Sequence, residues 1–137
     1  MRVCLDTNVL VSAFATRGLC AEVLTLVLAE HDLILGEQGL TELRRVLEKK
    51  MRVPRRRVDE VEAFLRAQAQ VAEGGARPLI KVRDPADMKV LAEAITGQAD
   101  ILVTGDRDLL EVAAKAPLRI VTPRGFWEQV RGTQPKP

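Results

Sequence analysis

The first eight residues, Met1-Arg2-Val3-Cys4-Leu5-Asp6-Thr7-Asn8, constrain the fold more than any other stretch. Val3 to Leu5 is a short apolar run that reads as a buried strand, and three small polar side chains stop it at once. In open α/β sheets ligands bind beyond the carboxyl ends of parallel strands, beside a topological switch point. Asp6, Thr7 and Asn8 therefore stand where a site is expected. A second run, Ile101 to Thr104, also ends in a turn carrying carboxylates, Gly105-Asp106-Arg107-Asp108. Two strands that deliver acids to one sheet edge point to a shared metal-binding site.

The rest of the chain alternates strand and helix. Val9 to Phe14 begins a helix that Arg17-Gly18 breaks, and Cys20, Val23, Leu24, Val27 and Leu28 give the next helix an apolar face at the i, i+3, i+4 rhythm. His31 and Asp32 mark a turn, and Leu33 to Leu35 is a strand closed by Gly36. A helix from Gly39 to about Lys50 buries Leu40, Leu43 and Leu47. Pro54 opens another, to which Val58, Val61, Phe64, Leu65, Gln68 and Ala72 lend periodicity until Gly74-Gly75. Leu79 to Val82 is a third strand, and Asp84-Pro85-Ala86-Asp87 starts a helix with Asp84 as its cap. A brief helix follows Asp106, Leu118 to Val121 is the last strand, and Thr122-Pro123 opens the last helix, through Phe126, Trp127 and Val130. This pattern predicts a three-layer α/β domain with a mostly parallel sheet of about five strands. One domain is expected over residues 1–130, with 131–137 as a flexible tail.

A length of 137 residues with 47% hydrophobic content is enough for one good core. Cys4 and Cys20 lack metal-like spacing and read as reduced core residues of a cytoplasmic protein. No run approaches the ~18 apolar residues of a membrane span, so no membrane partner is expected. The formal net charge of +2 decides little, but its distribution is uneven. Arg44, Arg45, Lys49, Lys50, Arg52, Arg55, Arg56 and Arg57 are opposed between positions 44 and 57 by Glu48 alone. Such runs usually form solvated helix faces, yet eight cations against one acid favour a phosphate backbone. With no aromatic residue in the run, contact there is to backbone and sensitive to salt. His31, at a predicted turn, reads as a surface residue, and Phe126 and Trp127 at helical spacing near Val130 read as core packing.

Four carboxylates can converge: Asp6 after the first strand, Glu42 on the third helix, Asp87 at a helix start and Asp106 after the fourth strand. Crowded like charges repel unless cations neutralise them, and an all-oxygen ligand set suits Mg²⁺ or Mn²⁺. Each acid also has a structural reading. Asp87 suits a helix dipole, worth ~0.3 to 1 kcal/mol; Asp106 and Asp84 suit caps; Glu42 suits a helix surface. Asp6, directly after a buried strand, has no such ready partner.

Taken in order, Asp6-Thr7-Asn8-Val9-Leu10, Glu42-Leu43, Asp84-Pro85-Ala86-Asp87 and Val103-Thr104-Gly105-Asp106 resemble the PIN domain family from about Val3 to Trp127. The chain is most similar to small stand-alone prokaryotic PIN proteins of the VapC type, described as toxin components of toxin-antitoxin systems. The resemblance implies a PIN-like fold with a five-stranded parallel sheet and a metal-dependent endoribonuclease. It puts Asp6, Glu42, Asp87 and Asp106 on the positions that hold Mg²⁺ or Mn²⁺, supported by Thr7, Asn8 and Thr104. Asp84 competes with Asp87, and Asp108 with Asp106, for two of these places. The family also implies an RNA substrate, an antitoxin protein as partner and a homodimer.

Three functions compete on these residues. The first is an endoribonuclease in which a metal-activated water attacks an RNA phosphodiester, leaving a 5′-phosphate and a 3′-hydroxyl. The second is a non-catalytic PIN module that binds RNA or protein. The third, a phosphotransferase with Asp6 as nucleophile, ordinarily needs a second aspartate two residues later, where this chain has Asn8.

Overall fold

The computed structural model describes residues 1–73 and 85–132. Five strands form one sheet: β1 (Arg2–Leu5), β2 (Asp32–Gly36), β3 (Gln70–Ala72), β4 (Ile101–Val103) and β5 (Arg119–Val121). The order across the sheet is β3-β2-β1-β4-β5, and every pairing is parallel. The helices are α1 (Thr7–Ala15), α2 (Leu19–Glu30), α3 (Glu37–Arg45), α4 (Arg55–Gln68), α5 (Pro85–Thr96), α6 (Arg107–Glu111) and α7 (Pro123–Arg131). The expected α/β class and parallel sheet are therefore present.

Strand periodicity divides the core into two layers. Val3, Leu5, Leu33, Leu35, Ile101 and Val103 face one way and pack with residues of α1 to α4 and with Phe126 of α7. Cys4, Ile34, Leu102 and Ile120 alternate with them and pack under α5 and α6. Both faces are covered, which is why the central strands read as continuous apolar runs rather than as alternating ones. Cys4 and Cys20 are free thiols, and burial pushes the Cys4 thiol up. Phe126 is fully buried, with His31 edge-on to it at 5.9 Å. Trp127 lies partly buried against the same layer, with the Arg131 guanidinium 5.5 Å from its ring centroid. Among the described residues no single helix is long and apolar enough to cross a membrane.

The periodicity misleads in one place. The helix expected to run through Ala72 ends at Gln68, and Gln70–Ala72 is instead the edge strand, in register with Ile34 to Gly36 of β2. Three residues are too few to show an alternation of their own, and Ala72 happens to fall on the helical rhythm before it. Phe64, expected inside on the same rhythm, is 43% exposed. The strand expected at Leu79 to Val82, the cap Asp84 and the tail from 133 onward lie outside the described residues. The expected long helix after Gly36 is α3 followed by a π-helical turn, Val46–Lys50, in which the Met51 N–H reaches back to the Val46 carbonyl. That wider turn loosens the end of the helix, and Arg52 at φ 54° turns the chain away before Pro54 opens α4.

One local arrangement fixes α3 against α5. Gly36 is at once the last residue of β2 and the N-cap of α3, so it has no side chain with which to cap the helix. The Glu93 carboxylate of α5 does so instead, accepting from Gln38 N at 2.8 Å and Gly39 N at 3.1 Å. Glu93 is only 4% exposed, and burial raises its carboxyl pKa against the pull of these two donors. A Cβ on Gly36 would fall 1.9 Å from Glu93 Cδ, so the glycine is demanded by this approach and not by its dihedral angles. Gly36→Ala is expected to destabilise the protein by about 1–3 kcal/mol in urea titrations. The same substitution in a Glu93→Ala background should cost clearly less, because the clash partner is gone. Equal costs in both backgrounds would refute this account of the glycine.

Candidate functional site

The strand order places a switch point between β1 and β4, since the chain leaves β1 towards β2 on one side while β4 pairs on the other. Leu5 and Val103 are the last pair of that ladder, and the Asp6 N–H donates to the Val103 carbonyl at 3.0 Å. Thr104 N donates to Val121 O at 2.9 Å, so Asp6 and Thr104 leave the sheet side by side. Their side chains then join. The Thr104 hydroxyl donates to Asp6 Oδ2 at 2.7 Å and accepts from Asp106 N at 2.9 Å, while Asp6 Oδ1 accepts from Thr7 N at 2.7 Å. Asp106 Oδ1 in turn accepts from Asp108 N at 2.8 Å, which caps α6.

Asp6 is 4% exposed and Thr104 fully buried. Burial raises the Asp6 carboxyl pKa, and the nearby Asp106 charge raises it further; the bonds from Thr104 and Thr7 pull the other way. A carboxylate in this position is costly in the protein alone, and a cation relieves the cost. The Thr7 hydroxyl, on a residue only 6% exposed, has no hydrogen-bond partner among the described residues.

A cleft of about 240 Å³ opens over these groups. Asp6, Thr7 and Asn8 from the end of β1, Gln38, Thr41 and Glu42 from α3, Asp87 and Lys89 from α5, and Asp106 line it. All four carboxylates singled out from the sequence thus border one space. The tightest grouping among the described residues is Asp87, Asp106 and Asp108, each offering an oxygen within 4.8 Å of the others. Asp6 and Glu42 line the cleft outside that triple. Asp106 caps a helix and belongs to the acid group at once, so its two readings do not exclude each other. Likewise Asp87 sits in the first turn of α5 and is 6% exposed. Glu42 differs from the rest. It is 43% exposed and holds Arg45 through two hydrogen bonds, of 2.5 and 3.0 Å, which lower its carboxyl pKa. The donors are all hard oxygens, which fits Mg²⁺ or Mn²⁺ and leaves no role for a soft ligand.

Sequence reading passed over Gln38, Thr41 and Lys89. Nothing in their type marks them; the signal was position, one turn or less from Glu42 on α3 and two residues after Asp87 on α5. Glu93 was missed as well, because a glutamate between Ala92 and Ala94 looks like helix surface until Gly36 is seen to make room for it.

The basic stretch is less uniform than its sequence. Arg44 is spent on Glu48 at 3.0 Å, Asp59 at 2.8 Å and Glu62 at 2.9 Å, the last two from α4. Arg45 is held by Glu42, and Arg56 lies 3.7 Å from Glu60. Lys49, Lys50, Arg52, Arg55 and Arg57 are exposed and make no ion pair among the described residues. Apart from Glu48, the opposing acids Glu42, Asp59, Glu60 and Glu62 lie just before this stretch or further along α4, where a count restricted to positions 44–57 does not find them.

Solved structures with the same fold include chains from Rickettsia felis and Neisseria gonorrhoeae. A chain of VapBC2 from Rickettsia felis, bound to a DNA fragment from its promoter, superposes with a TM-score of 0.63 at 18% identity, covering 89% of this chain and 98% of that one. A chain of FitAcB from Neisseria gonorrhoeae does so with a TM-score of 0.54 at 17% identity, covering the same shares. No curated protein sequence matches. The profile of the PIN domain matches residues 2–108, a span that runs from β1 to Asp108 and so takes in every acid around the cleft. The chain belongs to the PIN domain family.

Proposed function

We propose that the protein is a Mg²⁺- or Mn²⁺-dependent endoribonuclease that hydrolyses RNA phosphodiester bonds, and that it acts as the toxin of a toxin-antitoxin pair. The observation that carries this reading is the convergence of Asp6, Asp87 and Asp106 on one cleft at the β1/β4 switch point, with Asp108 beside them. Membership of a family whose domains are generally nucleases supports it. An antitoxin protein as partner, a homodimer and a cytoplasmic location follow from the resemblance to stand-alone prokaryotic PIN proteins.

Asp6, Asp87 and Asp106, with Asp108 beside them, would hold the metal, and Glu42 would be available from the α3 wall once released by Arg45. A divalent ion there would neutralise the acids and supply a water of lowered pKa and charge to offset that developing on a phosphate. The protein's own part is positional. Thr104 keeps the Asp6 carboxylate in one orientation, with its proton on Oδ2 of Asp6 and its lone pair on Asp106 N, so that one hydroxyl aligns both strands' acids. Thr7 brings a buried hydroxyl with spare hydrogen-bonding capacity to the cleft wall. Among the described residues that line the cleft there is no Ser, Cys or His, so the attack is assigned to water, with the carboxylates orienting it. Lys49, Lys50, Arg52, Arg55 and Arg57 would guide the RNA backbone electrostatically.

Asp6→Asn should reduce Mn²⁺-dependent cleavage of a labelled single-stranded RNA by at least about 10²-fold. EDTA should abolish cleavage by the wild type. A folded Asp6→Asn protein with full activity would sink the assignment, and salt-sensitive RNA binding without turnover in any metal would favour a binding module. A thermal measurement tests the same residue without turnover. Because the Asp6 pKa is raised on folding, its stability contribution is intact below the unfolded carboxyl pKa and is lost as pH rises through the folded value. At pH 7 without metal, Asp6→Asn is therefore expected to melt at or above the wild-type temperature. Mn²⁺ should raise the wild-type midpoint and leave that of the variant nearly unmoved.

A further inference from the structure

Lys89 stands out among the residues of the cleft. It lies on α5 two positions after Asp87, it is exposed, and it borders the same space as Asp6, Glu42, Asp87 and Asp106. Among the described lining residues it is the one base against four carboxylates. Residues two apart on a helix do not face each other, so α5 gives Lys89 no intrahelical pairing with Asp87. Its ammonium forms no hydrogen bond or ion pair among the described residues. Asp87 is buried in the floor while Lys89 stands at the mouth.

This arrangement matters for a polyanion. An RNA strand approaching the cleft meets the acids' field before its scissile phosphate reaches the floor, and ions bound there offset that field only locally. The opposite wall contributes exposed Gln38 and Thr41, which are uncharged, and its nearest cation, Arg45, is held by Glu42. A flexible four-carbon stem carrying a strongly hydrated point charge can follow a phosphate at the mouth without a fixed geometry.

We propose that Lys89 is a substrate-binding residue which contacts a backbone phosphate next to the scissile one and so seats the RNA across the cleft. The inference rests on the nuclease reading above and adds to it a residue that binds substrate and not metal. Lys89 offers no base recognition, so its contribution is independent of sequence.

The test uses the full chain with a fluorescent single-stranded RNA and Ca²⁺ as the divalent ion, with gels to show that the RNA stays intact. Affinity is followed by anisotropy between about 50 and 200 mM salt. Lys89→Gln is expected to weaken binding roughly three- to tenfold at the low end and to lower the slope of log Kd against log salt by about 0.7. Lys89→Arg should restore both, and Mn²⁺ affinity, read by electron paramagnetic resonance, should be equal in all three proteins. A Lys89→Gln protein that matches a wild type which does bind RNA overturns the inference alone. A changed Mn²⁺ affinity with an unchanged salt slope overturns it too, by assigning the charge to the acids. A wild type that neither binds nor cleaves RNA overturns the nuclease reading and this inference with it.

Discussion

The burial of one carboxylate, Asp6, governs the architecture of the cleft. Taking an ionisable group out of water is unfavourable, and the chain accepts that cost by surrounding Asp6 with donors from two strands. Thr7 N follows Asp6 directly in the chain, whereas Thr104 is positioned because β1 and β4 are neighbours in register, ending at Leu5 and Val103. Thr104 can therefore be neither longer nor apolar without disturbing Asp6 and the N-cap of α6 together. The junction of β1 and β4 is thus a structural joint that also carries a buried acid to the wall of the cleft.

A second buried acid does the reverse. Glu93 is not among the described lining residues of the cleft; it closes the open N-terminus of α3 and so ties the two walls together. The helix dipole at that end favours a negative charge, and with Glu93 occupying it the N-terminus is no longer an anion site. Asp6 and Glu93 are both buried with raised pKa, so these properties do not by themselves distinguish an acid of the cleft from a structural one. What separates them is the neighbourhood: Asp6 borders an open cleft with other acids, whereas Glu93 is enclosed by backbone donors and a glycine.

This difference also explains how far the sequence could be read. The strand–acid junctions at Asp6 and Asp106 were legible because a run of apolar residues ending in small polar ones has few meanings in a chain of alternating strands and helices. Glu42 and Asp87 were legible mainly through the order of motifs, since each alone passes as helix surface or first-turn acid. Lys89 and Gln38 were not, because their importance arises from which wall of the cleft they stand on, a tertiary fact with no local trace. The edge strand Gln70–Ala72 was lost for another reason: a three-residue strand is defined by the Ile34-to-Gly36 partner it pairs with, not by its own pattern. The basic stretch showed the opposite failing, a strong local signal that Asp59 and Glu62 partly cancel from a neighbouring helix.

Among the described residues, the two strands at the rims of the sheet, β3 and β5, are three residues long each. A rim that short exposes few unsatisfied peptide groups and makes a poor template for an incoming strand. Enlargement of the sheet by a second polypeptide is thereby discouraged, and association with other chains is left to side chains on the helical surfaces. The brevity of β3, which hid it in the sequence, protects the folded molecule from uncontrolled self-pairing.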